Sequence, residues 1–268
     1  MKNKKNELTK QEEFIKSHRK YHHQITGTRI TIFLLFIVLW EIASRLDWID
    51  SFFFSSPSRV IICFTELITN NNLFLHIGVT LLETIVSFIL VIGIGLLVAT
   101  LLWHSKKTSE ILEPYLVVLN SLPKSALAPL FIVWLGTGIS TIIVAGISVA
   151  IFGCIISLYT GFKQVDAEKI TLIYTLGGNK HDAFSKVVLP GSIPTVLSTM
   201  KVNIGLSLVG VIIGEFLAAR QGLGYLIIYG SQVFKLSMVI TSIVILCIIA
   251  IAFYGGLQAV EHWYKKKA

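Results

Sequence analysis

The sequence predicts an all-α, polytopic membrane protein with about six transmembrane helices. Three observations carry that expectation. Of the 268 residues, 54% are apolar and only 14% charged, too little charge to cover a water-soluble domain of this length. A bilayer core takes about 20 apolar residues per helix, and residues 125–162 run 38 positions without a charge while 236–260 run 25. The basic residues, finally, gather in alternate connections, as a membrane topology requires.

Residues 1–29 are hydrophilic and carry eight basic residues, Lys2 and Arg29 among them. They form a basic N-terminal segment ahead of a transmembrane domain over 30–268. No small-residue cleavage site follows the first apolar run, so helix one (core Thr31–Ala43, with Glu41 late in it) is expected to be a retained anchor. Residues 48–72 form an outer connection in which Ser55-Ser56-Pro57-Ser58 starts a short helix over Arg59–Thr69. Helix two spans about 74–103 and carries Glu83. Helix three spans about 109–135. Gly136-Thr137-Gly138 turns the chain into helix four, about 139–161. A polar interlude covers 162–190, and helix five about 192–217. Gln221-Gly222-Leu223-Gly224 leads into a short amphipathic stretch, and helix six runs over about 238–262. With the N-terminus inside, the inner segments hold 17 basic residues and the outer ones four, Arg45, Arg59, Arg220 and Lys235. Both termini are therefore expected in the cytoplasm of a cell-membrane protein.

Several function classes drop out. Cys63, Cys154 and Cys247 are scattered and form no framework. His18 and His22 stand at i, i+4 beside His23, but no carboxylate or cysteine completes a metal set. No G-x-x-x-x-G-K-[ST] loop is present, and no nucleophile–base pattern survives the topology, so neither catalysis nor a resident cofactor is expected. The excess positive charge lies along ends and loops, which argues for topology rather than nucleic acid.

The informative segment is 165–190, VDAEKITLIYTLGGNKHDAFSKVVLP. Asp166 is a good N-cap for a short helix to Leu176. Gly177-Gly178 supply the left-handed geometry that ends it, and Asn179 caps a second helix with Asp182 at its third position, an imperfect capping box. Leu172, Ile173, Leu176, Phe184 and Val187 give the element an apolar side too short to cross a bilayer. Such a side suits docking to another protein, or, on the plainer reading, lying on the lipid surface.

This segment resembles the EAA loop of ABC-importer permeases: three residues, three spacers, Gly, nine spacers, a β-branched residue, one spacer, Leu-Pro. Gly177 takes the glycine, and Val187, Leu189 and Pro190 follow in register. Thr171-Leu172-Ile173 stand where the family has Glu-Ala-Ala. Ser56-Pro57-Ser58, Leu122-Pro123 through Ala126-Leu127-Ala128-Pro129-Leu130 to Trp134-Leu135-Gly136-Thr137-Gly138, Gly214-Glu215-Phe216 and Gly222-Leu223-Gly224-Tyr225-Leu226-Ile227 are similar to the nitrate/sulfonate/taurine branch. The resemblance covers about 50–260 and implies a type I importer fold. It further implies a dimer of membrane subunits, homo- or heteromeric, coupled to a cytoplasmic ATPase dimer that uses the ATP and fed by an extracytoplasmic binding protein. Asp166, Thr171, Leu172, Ile173, Leu176, Gly177, Gly178, Val187, Leu189 and Pro190 would then contact the ATPase. The solute would be small, with an anion favoured by Lys124 and Lys201.

Ionisable groups inside a bilayer usually face a cavity, a partner or an interface. Glu215 near the outer end of helix five, Lys124 after the helix-loosening Pro123, and Asn203 are candidates for the path or gate. Glu83 and Lys201 are expected to pair with each other or to reach an interface, and Glu41 to be interfacial. Pro123 and Pro129 are expected to kink helix three, and Gly93 and Gly95 to allow close packing. Two other functions fit the composition: a stand-alone ion-coupled carrier relaying through Glu83, Lys124 and Glu215, and a non-transporting scaffold.

Overall fold

A computed structural model describes residues 2–70 and 72–267. The side chains of Lys2, Lys4, Lys5, Lys10, Lys16, Arg19, Lys20, His22 and His23 lie outside the described residues, and with them the histidine group and most of the basic N-terminal charges. Among the described residues every regular element is helical. The chain forms two compact units, residues 1–63 and 64–268.

In the first unit, α1 (Lys2–Arg45) continues without a break from the polar segment through the apolar one, its span-like part being Gln24–Arg45. α2 (Ser51–Phe54) follows, capped by Asp50, whose carboxylate accepts the Phe52 N–H at 2.8 Å. α3 (Pro57–Asn70) starts at the Ser-Pro-Ser turn. Glu41 accepts the Ser58 N–H at 3.1 Å and the Ser58 hydroxyl at 2.8 Å, and pairs with Arg45 at 2.7 Å. The late glutamate of helix one thus caps α3.

The second unit holds α4 (Leu73–His104), α5 (Lys106–Ser121), α6 (Lys124–Leu135) and α7 (Ile139–Lys163). Next come the short α8 (Ala167–Thr175), α9 (Lys180–Ala183) and, after a π-helical turn at Phe184–Val188, α10 (Leu189–Gly191). α11 (Ile193–Ala218), α12 (Leu223–Gln232) and α13 (Leu236–Lys267) complete it. Four of these helices and the α1 span are each long and apolar enough to cross a membrane. The α5–α6 pair makes a sixth crossing if its two arms count as one.

Helix three, expected over about 109–135 with a kink from Pro123 and Pro129, is split into two arms. Its arms meet at 94° across Leu122-Pro123. Proline lacks the N–H that would continue the ladder, and it drives the preceding residue to extended backbone, ψ 140° at Leu122. Pro114 and Pro129 lie inside the two arms, so the break is set by Pro123 alone.

The bundle closes on small residues. A Cβ at Gly210 would sit 2.8 Å from the Cα of Gly146, and one at Gly214 would sit 2.9 Å from the Cα of Ile142, so α7 and α11 pack backbone to backbone. Of the two glycines expected to let α4 approach a neighbour, only Gly95 does so, against Cys154 of α7; nothing stands within 4 Å of a Cβ at Gly93. Val91, Ala99, Leu102, Cys154, Ile155, Leu158 and Phe162 fill this half of the core.

Candidate functional site

Two structures in the second unit carry chemistry: the elbow at 162–190 and a polar lock at the far end of the bundle. The first arm of the elbow is α8, whose N-cap Asp166 accepts the Glu168 N–H at 2.9 Å. It ends at Leu176, and Gly177 takes φ +83°, a left-handed turn that non-glycine residues resist. A Cβ on Gly178 would meet the Ile173 side chain at 2.6 Å. The second glycine is thus required by closeness and the first by backbone angle.

The second arm opens with a complete capping box, better than the sequence suggested. Asn179 Oδ1 accepts the Asp182 N–H at 3.0 Å, and Asp182 Oδ2 accepts the Asn179 N–H at 3.1 Å. That backbone N–H, and next the Lys186 ammonium 3.0 Å away, hold the Asp182 carboxyl below its ordinary range.

The elbow's two arms differ in burial. Leu172 and Leu176 are 57% and 76% exposed, and Tyr174 is also exposed. Phe184, expected on that same apolar side, is instead buried with Ala183 and Val188. Its ring lies 5.2 Å from those of Trp103 and His104 and 5.4 Å from Phe162. The two arms are separate helices divided by the Gly177-Gly178 elbow, so Phe184 does not share a face with Leu172 and Leu176. Val187 and Ile173 are half-buried, while Thr171, Leu189, Pro190 and Asp166 are exposed. Lys180 adds a cation–π contact to Trp103, 5.5 Å from its centroid.

The polar lock joins α4 to the α11–α12 turn. Glu215 is 1% exposed. One carboxyl oxygen accepts the Thr80 hydroxyl at 2.6 Å and the other the Gly224 N–H at 2.5 Å. The Leu223 N–H donates to the Thr80 oxygen at 2.8 Å, and the Gly222 N–H to His76 Nδ1 at 3.0 Å. The opening N–H groups of α12, which an isolated helix leaves unmet, are thus satisfied from α4 and α11. A Cβ at Gly222 would fall 2.4 Å from the Glu215 carboxyl, and one at Gly224 2.8 Å from its Cβ. The Gly-Leu-Gly run is what lets the glutamate lie over the turn.

The remaining candidates separate. Lys124 donates to the Asn120 carbonyl, one of those that the Pro123 break frees. Lys201 pairs with Glu261 of α13 at 2.5 Å and not with Glu83, which was one of the two placements expected for it. Asn203 is buried and donates to the Thr199 carbonyl at 2.8 Å, its Oδ1 without a partner among the described residues. Glu83 is 1% exposed beside Glu215. His76 and Thr80 escaped the sequence reading. The signal for them was present, since His76, Thr80, Thr84 and Ser87 recur at helical spacing on one buried face of an apolar helix.

A family model described as the binding-protein-dependent transport system inner membrane component matches residues 91–266. The chain is 28% identical over 214 residues to the putative aliphatic sulfonates transport permease protein SsuC of Bacillus subtilis, covering 80% of this chain and 77% of that one. It is 27% identical over 239 residues to the formylaminopyrimidine transport permease protein ThiX of Halalkalibacterium halodurans, covering 88% and 95%. Among solved structures, an inward-facing form of the MetNI methionine ABC transporter shares the fold, with a TM-score of 0.64 and 20% identity over 71% of this chain and 94% of that one. The chain belongs to the family of binding-protein-dependent transport system inner membrane components, and its fold is that of a type I ABC importer permease.

Proposed function

We propose that this chain forms the translocation path for a small solute, and that the elbow at 162–190 couples it to a separate cytoplasmic ATPase dimer. The observation that carries the proposal is the elbow's division of labour. One arm is clamped by Phe184 into the ends of α4 and α7, while the other holds Leu172, Tyr174 and Leu176 out to solvent. An exposed apolar knob on a rigid stem suits insertion into a groove of another protein, and a push on it reaches the core helices directly.

On this reading Asp166, Thr171, Leu172, Ile173, Leu176, Gly177, Gly178, Val187, Leu189 and Pro190 form or support the ATPase contact. A second permease subunit completes the path, an extracytoplasmic binding protein delivers the solute, and both termini are cytoplasmic. Pro123 and Lys124 belong to the α5–α6 bend, Asn203 to the bundle interior, and Glu215 to the lock that shapes the outer turn.

The test is purification of the chain from cells that express its whole operon. A P-loop ATPase should co-purify and uptake should require ATP. Uptake by the chain alone in vesicles without ATP would overturn the proposal in favour of an ion-coupled carrier.

A further inference from the structure

We propose that the cavity at the lock end of the bundle, between the starts of α4 and α13 and the α12 helix, binds a compact oxyanion of the phosphate or sulfonate type. The cavity measures about 410 Å³ and is lined by His76, Arg220, Gln221, Tyr225, Tyr229 and Lys235, among others. That volume falls in the range of small-ligand pockets.

The charge of the cavity is one-sided. Arg220 and Lys235 both stand on its wall, and no carboxylate is among the described lining residues. Neither cation has an ion-pair partner among the described residues. Two like charges sharing a cavity repel, and an arginine does not shed its proton. An oxyanion relieves the pair, and a guanidinium meets it with two parallel N–H groups. Lys124 and Lys201, the cations that favoured an anion in the sequence, are engaged instead with the Asn120 carbonyl and Glu261. The nearby Glu215 carboxyl is not on the wall, and Thr80 and Gly224 already donate to it.

His76 supplies a second, independent observation. It is only 9% exposed, and its Nδ1 accepts the Gly222 N–H. Nδ1 therefore carries no proton, and the ring hydrogen sits on Nε2 as a donor. That N–H has no partner among the described residues. Tyr225 stacks on the imidazole, with centroids 6.1 Å apart and planes 11° from parallel, and Tyr229 stacks on Tyr225 at 5.9 Å. The stack and the Gly222 bond fix the ring, so a held donor stands in one cavity with two unpaired cations. Water serves an N–H but leaves the cations unneutralised; an oxyanion meets all three.

Two sources present this chemistry, a lipid headgroup and a soluble anion, and the experiment separates them. Binding needs no ATPase, so the site stands or falls apart from the coupling proposal. The full chain is purified in a maltoside detergent, which carries neither phosphate nor sulfonate. Inorganic phosphate is offered in isothermal titration calorimetry, and phosphatidylglycerol in native mass spectrometry. At least one should bind, and Arg220→Gln with Lys235→Gln should weaken it about tenfold or more. His76→Asn keeps an acceptor for Gly222 but lacks the Nε2 donor, and it should weaken binding several-fold. Binding of free phosphate, with or without the lipid, assigns a soluble anion; binding of phosphatidylglycerol alone assigns a headgroup. No binding of either probe, or equal binding in the double variant, would overturn the proposal. Unchanged binding in a monodisperse His76→Asn would overturn it too, since two surface cations would then suffice. Arg220 and Lys235 are exposed, so the double variant still decides the matter where His76→Asn does not fold.

Discussion

Phe184, on the buried arm of the elbow, meets Phe162 at the end of α7 edge to face, with ring centroids 5.4 Å apart and planes at 88°. Edge-to-face geometry places the positive rim of one ring against the negative face of the other. Trp103 and His104 close the cluster from α4. The elbow is thus joined to two spanning helices by aromatic packing rather than by a flexible tether, which is what a transmitting element needs.

Phe184→Ala should cost about 3–5 kcal/mol of stability as a buried ring is removed. Phe184→Leu should fold and assemble but transmit poorly. Solute-stimulated ATP hydrolysis, measured beside basal hydrolysis, checks this: the stimulated part should fall while the basal rate stays.

Gly177→Val should weaken coupling through the backbone and not through a clash. Nothing stands within 4 Å of a Cβ there, but φ is +83°. A β-branched residue in that region costs about 1–2 kcal/mol, whereas Gly177→Asn should be tolerated. Uptake in cells with equal membrane abundance of each variant separates the two substitutions.

Glu215→Ala should destabilise the α11–α12 turn by about 1–3 kcal/mol for each donor left unpaired. The donors are the Thr80 hydroxyl and the Gly224 N–H. Glu215→Gln, which keeps an acceptor oxygen, should fall between. Thermal unfolding of the detergent-purified chain reads the order Glu215, Gln, Ala.

Asp182→Ala should lose the capping box and with it local stability at the start of the second arm. The Asp182 carboxyl is held low by the Asn179 N–H and then Lys186. Its contribution is therefore present above the unfolded value of about 3.9 and disappears as pH falls through the lower folded value. Amide-exchange protection at Asn179, corrected for intrinsic rate, should differ between wild type and Asp182→Ala at pH 7. The difference should close under strongly acidic conditions.

Most spans were legible because period and length speak for themselves: the α4, α7, α11 and α13 bounds fall within a few residues of those read from apolar runs. The right angle at Pro123 was not legible, since proline announces a weakened ladder without fixing its direction. The elbow was readable from Asp166, Gly177-Gly178 and Asn179, all local signals. The burial of Phe184 was hidden because one apolar side was read through the elbow, whereas the two arms are separate helices with different surroundings. The lock was half visible: Glu215 and the Gly-Leu-Gly run stood out, but the partners Thr80 and His76 come from a helix more than a hundred residues earlier. Lys201 found Glu261 rather than Glu83 for the same reason, tertiary placement that no local pattern encodes.

The most direct measurement of the coupling role is site-specific crosslinking from the tip of the elbow. In a Cys247→Ser background, which removes the exposed native thiol, Leu176→Cys should crosslink to a co-expressed P-loop ATPase with a yield that changes on adding ATP. A thiol at that position labelled only from the external face, or joined to no ATPase under any nucleotide condition, would contradict it.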